Sequence, residues 1–224
     1  MKPTHTVLFT PDVEAAATFY ALVTGRRWTK EGKARRCDCH FIHPTSKPYE
    51  EKGWWLYAVV SDIEAFVGRH RALDVRARAS LRDGTAFAFC HHPKLGRLVL
   101  VDDGDGEVLV SLHTRAAAPA KRAFSALLPP GLTPDERAFW SVFEDENVAA
   151  PSWVPYFPTT DLDKRLARLM KTRGVRMRGV REFWGKAAYL EDPWGNLFGV
   201  FDEASLTAEA ELDAFEAFSE RWAP

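Results

Sequence analysis

The sequence predicts an α+β protein made of repeated βαβββ modules, whose curved mixed sheets pair to form a cup. An apolar segment that runs into Thr or Ser and then Asp opens a helical pattern three times, at Asp12, Asp62 and Asp161. These residues are 50 and 99 positions apart, and since the second interval is close to twice the first, they indicate a repeat with one eroded copy. Strand and helix patterns also alternate along the chain, as such modules require.

The first module, residues 5–50, opens with a short apolar strand. Thr10 is predicted to cap the helix that follows, because its side-chain oxygen can accept a hydrogen bond from the first turn. The apolar residues of this helix recur at helical spacing, namely Val13, Ala16, Ala17, Tyr20 and Val23. Gly25 ends the helix. Residues 26–30 and 34–43 are then predicted to be extended.

The second module, residues 54–113, repeats this order. Ser61 and Glu64 have the spacing of a capping box, which predicts a helix that begins after Ser61. Four strands separated by turn-forming residues are expected after the helix, at residues 75–79, 86–91, 98–101 and 108–112. Residues 1–113 are therefore predicted to form a first domain of two modules.

Residues 114–152 break the pattern and are interpreted as an eroded module or connector. The Ala and Pro residues of 116–120 are typical of a connector, and a short helix that contains Trp140 is predicted to begin near Thr133.

The last module, residues 153–204, is regular again. It ends in a hairpin around Asp192-Pro193-Trp194-Gly195-Asn196, where Pro193 presets φ and Gly195 tolerates the positive φ of a tight turn. We expect the sheets of residues 54–113 and 153–202 to pair, and a C-terminal helix over residues 205–224.

Composition excludes several classes of partner. The 224 residues have a formal net charge of −1, which predicts neither a nucleic acid nor an anionic membrane surface as partner. The sequence shows no apolar signal region and no long apolar run, so neither secretion nor membrane spanning is expected. Three cysteines, an odd number, favour reduced thiols and predict a cytoplasmic location.

These features resemble the vicinal oxygen chelate superfamily of glyoxalase, bleomycin-resistance and extradiol-dioxygenase proteins, in its tandem-module form. The resemblance rests on the βαβββ period, on the helix phrase of residues 16–20 followed by residues 25–28, and on the closing hairpin of residues 191–196. It covers residues 5–28, 54–113 and 153–202. It implies a cup between paired modules.

The resemblance also implies a divalent metal in those members that catalyse a reaction. Their ligands are a His or Gln in the first strand of a module and a Glu in the last strand. The first-strand position is His5 in the first module, but Trp55 and Val154 in the other two. The Glu positions are Val110 and Gly199. His5 is thus a weak candidate ligand, and no metal centre of the usual kind is expected.

A different metal site is the alternative that the cysteines leave open. If residues 34–43 formed one strand, Cys37, Cys39 and His43 would share a face, and Cys90 lies on a further predicted strand. Thiolates with imidazoles suit zinc. Buried core thiols are the simpler interpretation, because cysteine is among the residues most often buried.

Without a metal, the cup can still hold a ligand between aromatic side chains. The predicted wall and polar contacts are Trp55, Trp153, Tyr156, Trp184, Tyr189, Glu191 and His5. The main hypothesis is therefore a protein that binds a small planar or amphipathic metabolite, with no catalytic residue assigned. The alternatives are a metal-dependent lyase, isomerase or dioxygenase, and a structural or interaction protein. A homodimer is also expected, since an unpaired module leaves an apolar face that a second copy could cover.

Overall fold

The computed structural model describes residues 2–47, 50–80, 84–103, 110–127, 140–146, 148–182, 186–203 and 219–222. The chain forms two compact units. The first contains residues 1–13 and 29–154, and the second contains residues 14–28 and 155–224. Of the predicted C-terminal helix, only residues 219–222 are described, and they are helical. The described residues include no helix with the length and apolar character that crossing a membrane requires.

The first unit contains a complete eight-stranded sheet. Its strands are β1 Lys2–Thr10, β2 Thr29–Glu31, β3 Ala34–Cys37, β4 His40–Pro44, β5 Gly53–Val59, β6 Asp74–Ser80, β7 Ala86–His92 and β8 Gly96–Val101. Their order in the sheet is β2-β3-β4-β1-β5-β8-β7-β6. In each half the first strand runs parallel to the last, and the halves join through the antiparallel pair β1 and β5. The βαβββ prediction is confirmed in both halves.

The helices of the repeats are α1 Val13–Thr24 and α2 Ile63–Arg69. The cap of α2 differs from the capping box predicted for Ser61, because the side chain of Asp62 accepts the hydrogen bond from the Ala65 amide. A carboxylate at this position also interacts favourably with the positive end of the helix dipole. The aspartate that marks the repeat interval is therefore a helix cap.

The segment predicted as one strand over residues 34–43 is two strands. Asp38 has a φ of 53°, so the chain turns there, and Cys37 pairs with His40 across the resulting hairpin. Asp is one of the few residues apart from glycine that adopts this conformation readily. The shared face proposed for Cys37, Cys39 and His43 therefore does not form.

The second sheet has six strands. They are β9 Val110–Thr114, β10 Trp140–Glu144, β11 Ser152–Thr159, β12 Arg176–Glu182, β13 Lys186–Glu191 and β14 Leu197–Asp202. Their order is β10-β9-β11-β14-β13-β12. The expected pairing of modules 54–113 and 153–202 is wrong, since β5 and β11 belong to different sheets and β5 pairs with β1.

The eroded module keeps one helix and two strands among its described residues. The predicted connector at residues 116–120 is the start of α3, Ala117–Leu127, because Pro119 lies in the first turn, where its missing N–H costs no hydrogen bond. Trp140, expected in a helix, begins β10, which pairs in parallel with β9. Pairing with a distant strand overrides the local helical spacing here.

In the second unit, α1 packs with the strands of the last module, whose helix is α4, Leu162–Leu169. The Tyr20 ring lies 5.7 Å from those of Phe157 and Phe198, and its hydroxyl donates to Asp192. Asp192 also accepts from the amides of the hairpin turn, in which Gly195 has the predicted positive φ, of 87°. The turn is therefore part of the packed structure.

Candidate functional site

A cavity of about 410 Å³ opens on one face of the eight-stranded sheet. Its lining comes from seven elements or their ends and consists of His5, Val7, Glu31, Ala34, Phe41, His43, Tyr57, Thr85, Phe87, Val101 and Asp103. A volume of this size falls in the range of about 300–1,000 Å³ that small-molecule pockets occupy.

Strand alternation explains which side chains face the cavity. His5 and Val7 point to this face of β1, whereas Thr6, on the opposite face, bonds His40. The register places His5 beside Tyr57 of β5, so the polar and aromatic side chains of neighbouring strands meet.

An apolar cluster forms the floor beneath the cavity. Its buried members are Val7, Phe9, Trp55, Phe89 and Val99. The Trp55 ring is 1% exposed and packs at 5.8 Å from Phe9 and 5.9 Å from Phe89. Because these rings interlock, the floor is a rigid surface on which an aromatic ligand could rest.

Three half-buried aromatic side chains form the walls, namely Phe41, Tyr57 and Phe87. Tyr57 and Phe87 meet edge to face at 6.2 Å, and Phe41 meets His5 in the same way at 5.5 Å. This arrangement leaves ring surface facing the cavity.

The rim of the cavity is acidic. Glu31 and Asp103 are exposed and are the carboxylates of the described lining, which also contains His5 and His43. Glu31 forms an ion pair of 3.5 Å with Arg36, whose guanidinium lies 5.1 Å from the centre of the Phe41 ring. Arg36, which is not part of the lining, thus pairs with one of the two carboxylates at the edge of the cavity and rests on an aromatic face.

The histidines of β1 and β4 differ in environment. His5 and His43 are partly buried and line the cavity, whereas His40 is fully enclosed on the other side of the sheet. Burial, reinforced by the nearby His5, lowers the pKa of His40 to about 3, so His40 is neutral and bonds Thr6 at 2.7 Å. His40 is therefore structural.

The predicted site residues do not gather in one place. His5 lines the cavity, Trp55 lies in its floor, and Trp153 belongs to the larger core cluster of the first unit. Tyr156 and Tyr189 are buried in the second unit, where Glu191 pairs with Arg178 at 2.7 Å. The fifth predicted aromatic contact, Trp184, lies outside the described residues.

The cysteines have the character of core thiols. Burial raises the pKa of Cys39 to about 11 and that of Cys90 to about 12, so both are protonated at neutral pH. Because electrophiles react with the thiolate, these two thiols are poor nucleophiles.

The donor set does not fit the divalent metal that the resemblance implies. Within the described ranges, no three His, Cys, Asp or Glu side chains lie close enough together to hold an ion. Val110, counted as a Glu position of the second module, lies in β9 of the other sheet, and the actual last strand of that module, β8, has no carboxylate. Binding without a metal remains a prediction, which metal titration tests.

Sequence reasoning missed all three aromatic side chains of the cavity walls. Phe41, Tyr57 and Phe87 face the cavity, whereas the predicted aromatic positions lie in the openings and near the last hairpin of the modules. A usable signal was present, since Tyr57 precedes Asp62 by the same five residues that separate Tyr156 from Asp161. That signal identifies equivalent positions, though it does not say which one faces an open cavity.

No protein-family model matches the chain, and no curated protein matches it. Several solved structures, however, are similar to this chain. The 2,3-dioxygenase LapB from Pseudomonas sp. KL28 has a TM-score of 0.58 at 16% identity, covering 89% of this chain and 91% of that chain. The Mn(II)-bound glyoxalase from Novosphingobium aromaticivorans has a TM-score of 0.58 at 12% identity, covering 95% and 84%.

A third similar structure is the 2,2',3-trihydroxybiphenyl 1,2-dioxygenase from Sphingomonas wittichii strain RW1, with a TM-score of 0.60 at 10% identity and 89% of each chain covered. At such low identity the likeness establishes architecture and leaves the reaction open. Together with the two curved mixed sheets, it confirms the resemblance at the level of the fold: the chain has the vicinal oxygen chelate fold of glyoxalase and extradiol-dioxygenase proteins.

Proposed function

We propose that the protein binds a small planar or amphipathic metabolite in the cavity of the eight-stranded sheet, without the usual metal centre of the fold. The observation that carries this proposal is the aromatic lining of a cavity of about 410 Å³. Half-buried rings of Phe41, Tyr57 and Phe87 are available to a ligand, and burying flat apolar surface against them is favourable.

A cavity-filling variant tests this binding. Ala34 lines the cavity on β3, so Ala34→Phe places a ring inside it. We expect affinity for a neutral planar probe, 1-methylnaphthalene, to fall at least about tenfold, which corresponds to about 1.4 kcal/mol. Ala65→Phe is the matched control, because Ala65 is exposed on α2. Equal affinity of both variants and the unchanged protein would contradict the proposal.

Tryptophan fluorescence provides a second measurement. Trp55 lies in the floor and is one of eight tryptophans, so a probe-dependent change should disappear in Trp55→Phe. Zinc, nickel and manganese should produce no such change. A stoichiometric response to Mn(II) that His5→Ala abolishes would instead favour the metal-dependent lyase, isomerase or dioxygenase. No response to any planar probe would favour the interaction protein.

A further inference from the structure

We propose that the cavity selects a planar cation, an inference that rests on the proposed function and names the charge of its ligand. The first argument is the sign of the lining charges. Glu31 and Asp103 are carboxylates, and no Lys or Arg occurs among the described residues that line the cavity. An acidic rim raises the local concentration of cations and disfavours anions.

The second argument is the chemistry of the walls. Aromatic ring faces carry negative charge density and attract a cation that lies within about 6 Å of the ring centre. Phe41, Tyr57 and Phe87 present such rings on different strands of one sheet. Rings combined with carboxylates recognise a flat, delocalised positive charge better than a neutral or anionic molecule of the same shape.

The third argument comes from a cation of the protein itself. The Arg36 guanidinium is planar and delocalised, and it lies 5.1 Å from the centre of the Phe41 ring and 3.5 Å from Glu31. The Phe41 ring and the Glu31 carboxylate therefore already bind a planar cation at the edge of the cavity. A bound ligand of the same chemistry would share these partners with Arg36, so Arg36 is expected to compete with it.

Three probes of one shape separate charge from size. These are 1-methylquinolinium as the cation, 1-methylnaphthalene as the neutral isostere and 1-naphthoate as the anion, each titrated into the full-length protein by calorimetry. We expect the cation to bind about tenfold more tightly than the neutral isostere, and the anion to bind most weakly.

Charge-neutralising variants then locate the effect. Glu31→Gln and Asp103→Asn should each weaken 1-methylquinolinium binding by about three- to tenfold and leave 1-methylnaphthalene binding unchanged. Glu64→Gln is the matched control, since it also removes a carboxylate that is paired with an arginine, Arg78, but does not line the cavity. Arg36→Met should instead tighten cation binding, because it leaves the Glu31 carboxylate and the Phe41 ring free to contact the ligand.

The outcomes distinguish this inference from the proposed function. Equal affinity for the cation and the neutral isostere, with no change in Glu31→Gln or Asp103→Asn, would overturn the cation preference while cavity binding stands. If no probe binds, or if Ala34→Phe leaves the affinity of every probe unchanged, the proposed function itself fails.

Discussion

Tyr57 of the first unit and Tyr156 of the second occupy equivalent positions in their modules, yet only Tyr57 lines the cavity described above. Each lies in the first strand of a module, and each pairs with the parallel last strand. The partner of Tyr57 is Val99, and the partner of Tyr156 is Gly199. A Cβ atom at Gly199 would overlap the Tyr156 ring, so that ring lies against the sheet itself. Tyr156 is 1% exposed, whereas Tyr57 is half-buried.

A glycine again stands beside the aromatic residue of the second unit on the next two strands. Phe89 pairs with Ala77 in the first unit, and Tyr189 pairs with Gly179 in the second, each beside a β-bulge. A Cβ atom at Gly179 would lie 2.5 Å from the Tyr189 ring, so this ring also lies on a glycine. Glycines at the partner positions let the Tyr156 and Tyr189 rings pack on the sheet. Phe89, whose partner is alanine, is also buried, in the cavity floor, so of these four aromatic side chains only Tyr57 lines the cavity.

The largest expected effect compares the two tyrosines directly. Tyr156→Ala removes a fully buried ring and should lower the free energy of unfolding by about 3–5 kcal/mol. Tyr57→Ala removes a half-buried ring and should cost less than about 2 kcal/mol, because it empties less packed volume. Denaturant unfolding of both variants measures the difference. Equal losses would break the comparison, since the two rings would then be equally part of the core.

The second prediction concerns the glycine beneath Tyr156. Gly199→Ala places a methyl group where the Tyr156 ring lies. It should lower the free energy of unfolding by about 2–3 kcal/mol, as overpacking of a core does. Gly68→Ala is the control, because a Cβ atom at that helical position meets no atom within 4 Å. This control should gain about 0.5–1 kcal/mol from helix propensity. If Gly199→Ala were as stable as the unchanged protein, the ring could not be resting on the glycine.

The third prediction concerns the pH dependence that the enclosed His40 confers on stability. The pKa of His40 is about 3 in the folded protein, against an ordinary value of 6.5. Between these values the unfolded chain binds a proton that the folded chain does not. The free energy of unfolding should therefore fall by up to about 1.4 kcal/mol per pH unit as pH drops from 6.5 toward 3, and this group should have no effect above 6.5.

The variant His40→Gln isolates that contribution. Its stability should depend less on pH between 7 and 5 than that of the unchanged protein, measured by denaturant unfolding. Burial also lowers the pKa values of His70 and His92, so these residues change stability with pH in the same direction as His40. Both residues are present in the unchanged protein and in His40→Gln, so the comparison isolates His40. Identical pH slopes with and without His40 would contradict its burial as a neutral side chain.

Local chemistry made much of the fold predictable. The helix caps at Asp62 and Asp161 accept hydrogen bonds from the third residue of each helix, so the aspartates that mark the repeat also start its helices. Gly195 likewise has the positive φ that its turn requires. These signals are local, because the residues of a helix cap or of a tight turn lie within a few positions of one another. The same short motif therefore forms the same cap or turn in any protein.

Errors arose where distant strands decide the structure. The sequence spacing around Trp140 predicts a helix, but Trp140 pairs with Val110 in a sheet, and Val110 itself belongs to the second sheet. The candidate site is hard to predict from sequence for the same reason, because Tyr57 and Phe87 are 30 residues apart in the chain while their rings meet at 6.2 Å. His5, by contrast, occupies a strand position that can be counted from the helix start, and it lines the cavity.

The sequence by itself determined the βαβββ repeat, the starts of its helices and the closing turn, because each depends on hydrogen bonds and backbone angles of neighbouring residues. Only the tertiary structure decided that β1 pairs with β5, and that Val99 lies beside Tyr57 while Gly199 lies beside Tyr156. Strand register and sheet order are set by the burial of side chains that are far apart in the chain, and the repeat places equivalent residues without fixing which face remains open.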